Sequence, residues 1–412
     1  MRRWLFGLIV LVLGWAAPVL AMSAITEYPI PSTFSGPSGV TGGPDGNVWF
    51  TEYETGRVGK ITPTGAITEY ALPTVNAGPI DITRDADGNL WVAESSGKLA
   101  KVTPAGHITE YQLDSTSYPA GLALGPDGAI WFTESSANQV GRITPAGAIT
   151  LYPVPSPRAG LALITAGPDG NMWFTEQSAN KVAKITPGGH ITEYVPPTSS
   201  ALPYGITAGA DGNLWFSEMQ VDKVGRMTTG GAITEYPLPD GFGPLSLTSG
   251  PDGRIWLGGN NGEVDSLDLT GHSLARYRLA ADTEIGSITR GPDGKIWFTE
   301  FDNNSIGRIS PDTAPSIDAQ AVVTGQVTKN GVPVAGANIV VDCNGWSLID
   351  TTGSDGTYAV TFDGAPKNCP ALATVGVYAA TPGYRGAASG TVQGITTKFS
   401  FAVVDVRLYP ER

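Results

Sequence analysis

A glutamate recurs at a fixed distance from a repeated Asp-Gly pair, and this carboxylate set is the first candidate for chemistry in the sequence. Each glutamate lies seven residues after the aspartate, at Glu52, Glu94, Glu134, Glu176, Glu218 and Glu300. One copy of the repeat departs from the pattern and carries Gly258-Gly259 instead. Carboxylates that lie close together repel one another, so they must be protonated, hydrogen-bonded or bridged by a cation. Mg²⁺ and Ca²⁺ are the cations that such oxygen ligands favour.

A second interpretation of the same set is structural. A residue present in nearly every copy of a repeat can serve the repeat itself, here by accepting backbone N–H bonds from a neighbouring copy. Residues that break the pattern are therefore the stronger functional candidates. They are Glu284, Tyr204, Tyr118, Arg158, Tyr53, Met219 and Phe301. Among them, the residues predicted to contact a ligand are Tyr204, Tyr53, Met219 and Phe301.

The elements that position these residues follow from a motif that recurs seven times. Its centre is Asp-Gly-x-x-Trp, with steps of 40 to 42 residues, and the aspartates are Asp45, Asp87, Asp127, Asp169, Asp211, Asp252 and Asp293. A period near 40–45 residues built from short strands and turns is typical of a β-propeller, with one blade per repeat. The sequence therefore predicts an all-β fold with a seven-bladed propeller over residues 22–311.

The two ends of the repeat region predict how the ring closes. Six copies contain a tyrosine in the fourth strand, at Tyr70, Tyr111, Tyr152, Tyr194, Tyr236 and Tyr277. The seventh copy lacks that strand, and the missing sequence is found near the N terminus as Ile25-Thr26-Glu27-Tyr28-Pro29. We expect this segment to form the outer strand of the last blade, because the pairing removes an exposed sheet edge.

Sequences outside the repeat predict export and a second domain. Residues 1–21 have the pattern of a secretory signal peptide, with Arg2-Arg3, an apolar core and a cleavage site after Ala21. Residues 312–319 are predicted as a linker and residues 320–412 as a small β-sandwich. The sandwich resembles carboxypeptidase regulatory-like domains, and a generic immunoglobulin-like sandwich is the alternative. Cys343 and Cys369 are the only cysteines, and in an exported protein they most simply form one disulfide.

The charge balance limits the classes of partner. The chain has 25 Lys and Arg against 38 Asp and Glu, a net charge of −13 at pH 7. This acidity argues against nucleic acid or an anionic membrane as a partner. The apolar run near the N terminus is short for a membrane span. We predict a secreted or periplasmic monomer that binds a small molecule, a peptide or a polysaccharide at the mouth of the propeller.

The repeat also resembles a known family. Gly-Pro-Asp-Gly-x-x-Trp-Phe-Thr-Glu, followed by Ile-Gly-Arg-Ile-Thr and Ile-Thr-Glu-Tyr-Pro-Leu-Pro, is similar to the streptogramin B lyases (virginiamycin B lyase) over about residues 24–311. The resemblance implies a seven-bladed propeller that opens a cyclic depsipeptide by elimination with Mg²⁺. It implies metal ligands at Glu284 and Glu300. The family's catalytic histidine falls on Gly286, and a second histidine and a tyrosine fall on Leu245 and Ser38.

The missing base separates three hypotheses. The only histidines, His107, His190 and His272, fall at turns into outermost strands, far from the channel. The first hypothesis is a lyase-like propeller that binds a ligand without lyase chemistry, with a Mg²⁺ or Ca²⁺ site at the channel mouth. The second is an active carbon–oxygen lyase that opens a cyclic depsipeptide or lactone with a different base. The third is a structural module at the cell surface.

Overall fold

The computed structural model describes residues 25–114, 117–279 and 283–311, together with the backbone of the strands between residues 319 and 410. These residues are almost entirely strands and turns, with a short 3₁₀ helix at Met219–Val221. The predicted signal peptide at residues 1–21 lies outside the described residues, as does nearly all of the predicted linker at 312–319. In the described part of the chain, no helix is long and apolar enough to cross a membrane.

Seven four-stranded antiparallel sheets form the blades, which confirms the predicted all-β, seven-bladed propeller. The first strand of the chain is β1, Ile25–Pro29. Blades one to three comprise β2 Pro37–Gly42, β3 Val48–Glu52, β4 Arg57–Ile61, β5 Ile67–Ala71, β6 Pro79–Arg84, β7 Leu90–Glu94, β8 Lys98–Val102, β9 Ile108–Gln112, β10 Pro119–Leu124, β11 Ile130–Glu134, β12 Gln139–Ile143 and β13 Ile149–Pro153. Blades four and five comprise β14 Leu161–Ala166, β15 Met172–Glu176, β16 Lys181–Ile185, β17 Ile191–Tyr194, β18 Pro203–Ala208, β19 Leu214–Glu218, β20 Lys223–Met227 and β21 Ile233–Pro237. Blades six and seven comprise β22 Pro244–Ser249, β23 Ile255–Gly259, β24 Glu263–Leu267, β25 Ser273–Arg278, β26 Ile285–Arg290, β27 Ile296–Glu300 and β28 Ser305–Ile309.

The recurring Asp-Gly-x-x-Trp motif builds the same core in six blades, and in blade two Asp85 replaces the motif aspartate as the acceptor for Trp91. In blade one, Trp49 Nε1 donates to Asp45 Oδ1 at 3.0 Å, and Gly46 takes the left-handed conformation that the turn requires (φ 79°). The indole stacks on Tyr70 of the outermost strand at 5.7 Å between ring centroids, and Lys60 Nζ lies 5.1 Å over it. A Trp–Tyr stack of this kind is found in all seven blades. The motif residues that make these contacts therefore serve the fold of each blade.

The N-terminal strand closes the ring as predicted. β1 pairs antiparallel with β28, with Ile25 opposite Ile309, so the last sheet has the order β1-β28-β27-β26. Tyr28 supplies the aromatic stack on Trp297 at 5.7 Å. The last blade is thus assembled from both ends of the repeat region, and closure removes the exposed edge of β28.

Hydroxyl groups tie the innermost strands of neighbouring blades together around the channel. Thr51 Oγ1 accepts a hydrogen bond from Gly39 N at 2.7 Å and donates one to Ile80 O of the next blade at 3.1 Å. The same tie is made by Thr133, Thr175, Ser217 and Thr299. Because the innermost strands β26 and β2 also contact each other, the channel wall is continuous around the ring.

Two blades lack this hydroxyl and use a different tie. Ala93 and Gly258 stand at the threonine position in blades two and six. In blade two, Asp81 Oδ2 accepts a hydrogen bond from Leu122 N of the next blade at 2.8 Å. In blade six, Ser246 Oγ accepts one from Ile288 N at 3.2 Å. An innermost-strand side chain therefore replaces the tie in each blade where the second strand cannot make it.

The C-terminal part forms two five-stranded sheets. One contains β29 Ala319–Lys329, β30 Val332–Pro333, β33 Thr357–Ala365, β36 Phe399–Val403 and β37 Val406–Arg407. The other contains β31 Asn338–Cys343, β32 Trp346–Thr351, β34 Thr374–Thr381, β35 Tyr384–Thr391 and β38 Tyr409–Pro410. Strands of the two sheets contact each other, as β32 and β33 do. The disulfide between Cys343 and Cys369 stays a prediction, since Cys369 lies outside the described residues.

Candidate functional site

The loops that enter the innermost strands meet the ends of the second strands at one face of the propeller, which we call the mouth. Backbone hydrogen bonds join the two sets of residues. Tyr53 N donates to Gly36 O at 3.0 Å in blade one, and Phe301 N donates to Glu284 O at 3.2 Å in blade seven. Side chains from these two sets are therefore fixed by regular strand pairing, as a binding site on a rigid scaffold requires.

The six repeated glutamates are not exposed at the mouth. All six are fully buried. The reason is strand alternation, since Glu300 lies two residues after Phe298 and turns to the same side, against Gly307 of the neighbouring strand. Glu300 Oε2 accepts a hydrogen bond from Asn303 Nδ2 at 2.8 Å, while its Oε1 is buried without a partner. Burial favours a structural role for the repeated set, but in the described residues the hydrogen bonds to these glutamates come from side chains and not from the expected backbone N–H groups of a neighbouring blade.

Burial raises the pKa of these carboxyl groups. Desolvation raises the pKa of Glu52, Glu94, Glu176 and Glu300 to about 7. The pKa of Glu218 is raised to about 8, by burial first and then by the nearby carboxylate of Glu235. A protonated carboxyl group is neutral, and burying it costs far less than burying a carboxylate. Glu52, Glu94, Glu176, Glu218 and Glu300 are therefore wholly or partly protonated near neutral pH, and burial raises the pKa of Glu134 in the same direction.

Glu284 differs from the repeated glutamates because it is exposed at the mouth. Its neighbour in the strand pairing is Glu300, since Ile285 lies opposite Glu300 in β26 and β27. The pKa of Glu284 is raised by partial burial and by the negative charge of Asp302. Among the residues that the structure describes, no three His, Cys, Asp or Glu side chains form a ready-made metal site. The backbones of the two predicted ligands are adjacent, but their side chains have different surroundings.

Three tyrosines and Glu284 come together at the mouth. Tyr204 is half-buried, and burial, Asp81, Glu284 and Tyr118 raise its pKa to about 12. The pKa of Tyr118 is raised by burial and then by the hydroxyl group of Tyr53. Although Tyr204 and Glu284 belong to blades five and seven, they lie within electrostatic reach of each other across the channel. The phenolic groups of the three tyrosines can each donate a hydrogen bond, and the raised pKa keeps Tyr204 protonated at neutral pH.

The other predicted ligand contacts are placed separately. Met219 begins the 3₁₀ helix after β19 and is half-buried, while Phe301 packs over Gly36 of the first blade. Arg158 is exposed on a loop, with a left-handed backbone (φ 50°). Within the described part of the chain, no hydrogen bond, ion pair or ring contact joins Met219 or Arg158 to the tyrosines. Asp81 was not predicted as a site residue. It stands at the repeat position that Gly39 occupies in blade one, and a charged residue there is a departure from the repeat that the sequence does show.

The positions of the family's catalytic groups hold residues that cannot remove a proton. Gly286 has no side chain, Leu245 is apolar and buried, and Ser38 is half-buried on the innermost strand. All three histidines of the chain are exposed at outer turns, and the His272 side chain is 79% exposed. The mouth therefore contains hydrogen-bond donors, aromatic rings and carboxyl groups, but no imidazole.

Comparison with known proteins agrees with this architecture. The model of the virginiamycin B lyase family matches residues 23–242. A streptogramin B lyase structure is 34% identical, with a TM-score of 0.67, over 69% of this chain and 97% of that chain. Virginiamycin B lyase from Staphylococcus aureus is 35% identical, with a TM-score of 0.66, over 69% of this chain and 98% of that one. A catalytically inactive histidine-to-alanine variant of the Staphylococcus aureus enzyme, solved with quinupristin, is 34% identical, with a TM-score of 0.66 over 69% of this chain and 98% of that one. The chain therefore belongs to the virginiamycin B lyase family.

Proposed function

We propose that this protein is an exported, ligand-binding member of the family that does not catalyse the lyase reaction. The observation that carries the proposal is the chemistry of the mouth. Gly286, Leu245 and Ser38 stand where the family places its histidines and tyrosine. The related Staphylococcus aureus variant that lacks one histidine is described as catalytically inactive. This chain carries no histidine at its own mouth.

The remaining groups at the mouth favour binding over proton abstraction. An elimination needs a base, and a positioned base contributes roughly 10²–10⁴-fold in rate. Tyr204 is deprotonated at neutral pH even less often than a free tyrosine, because its pKa is raised to about 12, so almost none of it is available to accept a proton. As donors, the hydroxyl groups of Tyr204, Tyr118 and Tyr53 suit the carbonyl oxygens of a peptide or depsipeptide, and their rings suit its apolar side chains.

A divalent cation at Glu284 and Glu300 is part of the proposal. Glu284 is exposed beside Asp302, and a cation would relieve the repulsion between these two carboxylates. Glu300 fits less directly, since its burial and its unpaired oxygen are shared with the other repeated glutamates. Bound Mg²⁺ or Ca²⁺ would polarise a ligand carbonyl group. Glu284 would hold the ion, and Glu300 would have to turn out of its buried position to join it.

An active lyase is the second candidate function, and one observation favours it. The raised pKa of Glu284 brings this exposed carboxylate closer to the range of a general base. In that case Glu284 would take the proton that the family's histidine takes, and ring opening of a cyclic depsipeptide or lactone would follow. Replacement of Glu284 would then abolish turnover and not only binding.

Export and the second domain complete the proposal. Residues 1–21 would direct the chain to the periplasm or out of the cell, and residues 320–412 would act as a carboxypeptidase regulatory-like module, held by the disulfide Cys343–Cys369. Such a module would contact a cell surface or a polymer, while the monomeric propeller presents its mouth to the ligand.

Isothermal titration with quinupristin, with and without Mg²⁺, tests the proposal when mass spectrometry follows the same samples. We expect binding without ring opening, and a several-fold loss of affinity in Tyr204→Phe, because a hydrogen bond contributes about 0.5–1.5 kcal/mol. Tyr152→Phe, on an outermost strand, is the matched control. Ring opening that disappears in Glu284→Gln would establish the second candidate function instead. Absence of binding under both conditions would leave a structural module.

A further inference from the structure

A cavity lies between the last and the first blade, beside the mouth. Its volume is about 410 Å³, and its lining includes Phe34, Gly36, Glu54, Phe301, Asp302 and Asn304. Cavities of this size hold small organic ligands. Its lining contains neither Tyr204, Tyr118 nor Glu284, but Phe301 and Asp302 also border the mouth, so the cavity adjoins the site of the proposed function.

The sequence of the second-strand tips is unusual on both sides of this cavity. An aromatic residue followed by an acidic residue stands at Phe301-Asp302 in blade seven and at Tyr53-Glu54 in blade one. The corresponding pairs in the other blades are Ser95-Ser96, Ser135-Ser136, Gln177-Ser178, Met219-Gln220 and Asn260-Asn261. Because the fold requires neither an aromatic ring nor a carboxylate at these tips, the departure in two adjacent blades points to a role other than folding.

Phe34 is a second departure from the repeat at the same place. Its backbone is left-handed (φ 55°), as are the equivalent loop residues Asn76, Arg158 and Ser200. The turn geometry is therefore common, but among the blades whose loop is described only this one carries an apolar side chain there, which is 87% exposed. A bulky residue is disfavoured in this conformation and gains nothing from burial here. The ring is held out over the cavity, where a ligand can cover it.

Gly36 allows the opposite wall to come close. A side-chain carbon at Gly36 would lie 2.9 Å from Glu54 Cγ and 3.2 Å from Phe301 Cε2. Gly36 itself is left-handed (φ 59°), a conformation that glycine adopts freely. The phenyl ring of Phe301 and the carboxylate of Glu54 therefore approach each other over a glycine floor.

Of the amide and carboxylate groups in the cavity lining, one is occupied and two are free for a ligand, and the lining also contains the hydroxyl group of Thr33. Asn304 Oδ1 accepts hydrogen bonds from Ser35 N at 2.6 Å and Ser35 Oγ at 2.8 Å, and its amide donates to Ser32 O at 2.9 Å. Glu54 and Asp302 are exposed, and within the described propeller neither forms an ion pair with a lysine or an arginine. The cavity thus has aromatic walls and uncompensated negative charge.

We propose that this cavity is a binding site for a small organic ammonium ion. A cation is attracted to the face of an aromatic ring, and the attraction grows when a ligand displaces water from the ring. Phe34 and Phe301 would cover the alkyl groups around the nitrogen, while Glu54 and Asp302 balance its charge. A neutral ligand of the same shape would gain only the apolar contacts, and an anion would be repelled.

The test is ligand-observed NMR and titration calorimetry of the full mature protein with benzyltrimethylammonium, and benzyl alcohol is the neutral probe with the same ring. We expect saturable binding of the cation only, weakened at least tenfold in Phe34→Ser and in Asp302→Asn, and weakened by high salt. Phe34→Ser introduces the residue found at the equivalent Ser200, so folding is not at risk.

The matched control is Val75→Ser, which removes an 85% exposed apolar side chain from the corresponding loop of the next blade. Binding equal to that of the parent protein is expected for this variant. The proposal is overturned if benzyl alcohol binds as tightly as the cation, or if Phe34→Ser and Asp302→Asn bind as the parent does. Because Tyr204→Phe leaves this cavity intact, failure of the mouth to bind a depsipeptide would not affect the result.

Discussion

Gly286 determines what the mouth can do, and the structure leaves room for a side chain there. A Cβ atom added at this position would lie 3.2 Å from Thr299 Oγ1 and 3.5 Å from Ser38 O. The first contact is tight, so Thr299 would have to shift by a few tenths of an ångström. Because the backbone at Gly286 is not left-handed, replacement introduces no conformational strain. The fold therefore does not require a glycine at this position, and the glycine only leaves the mouth without a side chain there.

Gly286→His should introduce lyase activity where the parent chain has none. An imidazole at this position would be next to Glu284 and could take the proton that an elimination releases. We expect depsipeptide opening in the presence of Mg²⁺ to rise by roughly 10²–10⁴-fold over the parent background. Mass spectrometry of the ring-opened product measures it, and Gly286→Ala is the control. Parent protein that opens the ring as fast as the variant would contradict the prediction.

The sequence was sufficient to identify the candidate residues at the mouth, but not to predict how buried each side chain is or which groups lie around it. Glu284, Tyr204 and Tyr118 were recognised because they interrupt a repeat, and the structure brings them together at the mouth. The burial of the six repeated glutamates could not be predicted, because the second strand of each blade is buried on both faces. In such a strand apolar and polar residues do not alternate, so the sequence pattern does not reveal whether a given side chain is exposed to solvent or buried. The cavity of Phe34 depends on a left-handed turn that joins two blades distant in sequence.

Between elements, the ties around the channel show how one blade compensates for a missing group. Asp81 accepts hydrogen bonds from Ile82 N at 2.8 Å and from Leu122 N at 2.8 Å, in the blade where Ala93 replaces the usual threonine. The pair Gly39 and Thr51 performs the same task in blade one. Each blade therefore uses one of two pairs of residues for its tie, either glycine with threonine, as in blade one, or aspartate with alanine, as in blade two.

Asp81→Gly should destabilise the propeller, and Ala93→Thr should restore part of the lost stability. The single change leaves the Leu122 N–H without its acceptor, which costs about 1–3 kcal/mol when the group is buried. In the double variant the new hydroxyl group would accept from the N–H of residue 81 and donate to Ala120 O, as Thr51 does with Gly39 and Ile80, so part of the free energy of unfolding should return although Leu122 N keeps no acceptor. Denaturant unfolding of both single variants and the double variant gives the coupling energy. Additive effects, with no recovery in the double variant, would show that the ties are not interchangeable.

Strand β1 is the second place where elements depend on each other. Its pairing with β28 spans the whole repeat region, and Tyr28 and Ile30 join the core between blades seven and one. The structure confirms this closure, which the sequence predicted because each blade needs a fourth strand and the seventh copy lacks one. Counting the strands in each repeat was sufficient for this prediction, since the N-terminal segment resembles the outermost strands of the other blades in sequence.

Deletion of residues 23–31 should lower the thermal stability of the entire propeller and not of one blade alone. The deletion removes the buried Ile30 and the stack on Trp297 and opens the edge of β28. Loss of each large core side chain costs about 2–5 kcal/mol, so a fall in Tm of roughly 10 °C or more is expected. Calorimetry measures the change in the mature chain. A parent-like Tm would mean that the ring is held without this strand.

For the whole molecule, the buried glutamates make stability depend on pH in an unusual direction. Their pKa values of about 7 to 8 in the folded protein exceed the usual value of 4.5, because burial disfavours the charged form. Between pH 4.5 and 8 the folded state therefore binds more protons than the unfolded state, and stability falls as pH rises. Asp45 and Asp211 act in the opposite sense: burial acts to raise the pKa of each, but hydrogen bonds outweigh it and lower the pKa, so their contribution is lost only in stronger acid.

Glu218→Gln should raise Tm at alkaline pH and leave it unchanged in acid. Both carboxyl oxygens of Glu218 are buried without hydrogen-bond partners, so the neutral amide removes an ionisation that lowers stability as pH rises from 4.5 to about 8. A gain of about 1 kcal/mol, or roughly 2–4 °C in Tm, is expected at pH 9, with no gain at pH 5.

The neighbouring Glu235→Gln is the matched control of opposite sign, because Glu235 is ionised and accepts hydrogen bonds from Thr198 N at 2.7 Å and Lys223 Nζ at 2.9 Å. It should lose stability at pH 7 and above, where its carboxylate is charged in both states. If Glu218→Gln instead lowered Tm at pH 9, the carboxylate of Glu218 would be stabilised by a partner such as a bound cation, and the repeated set would regain the metal-binding interpretation.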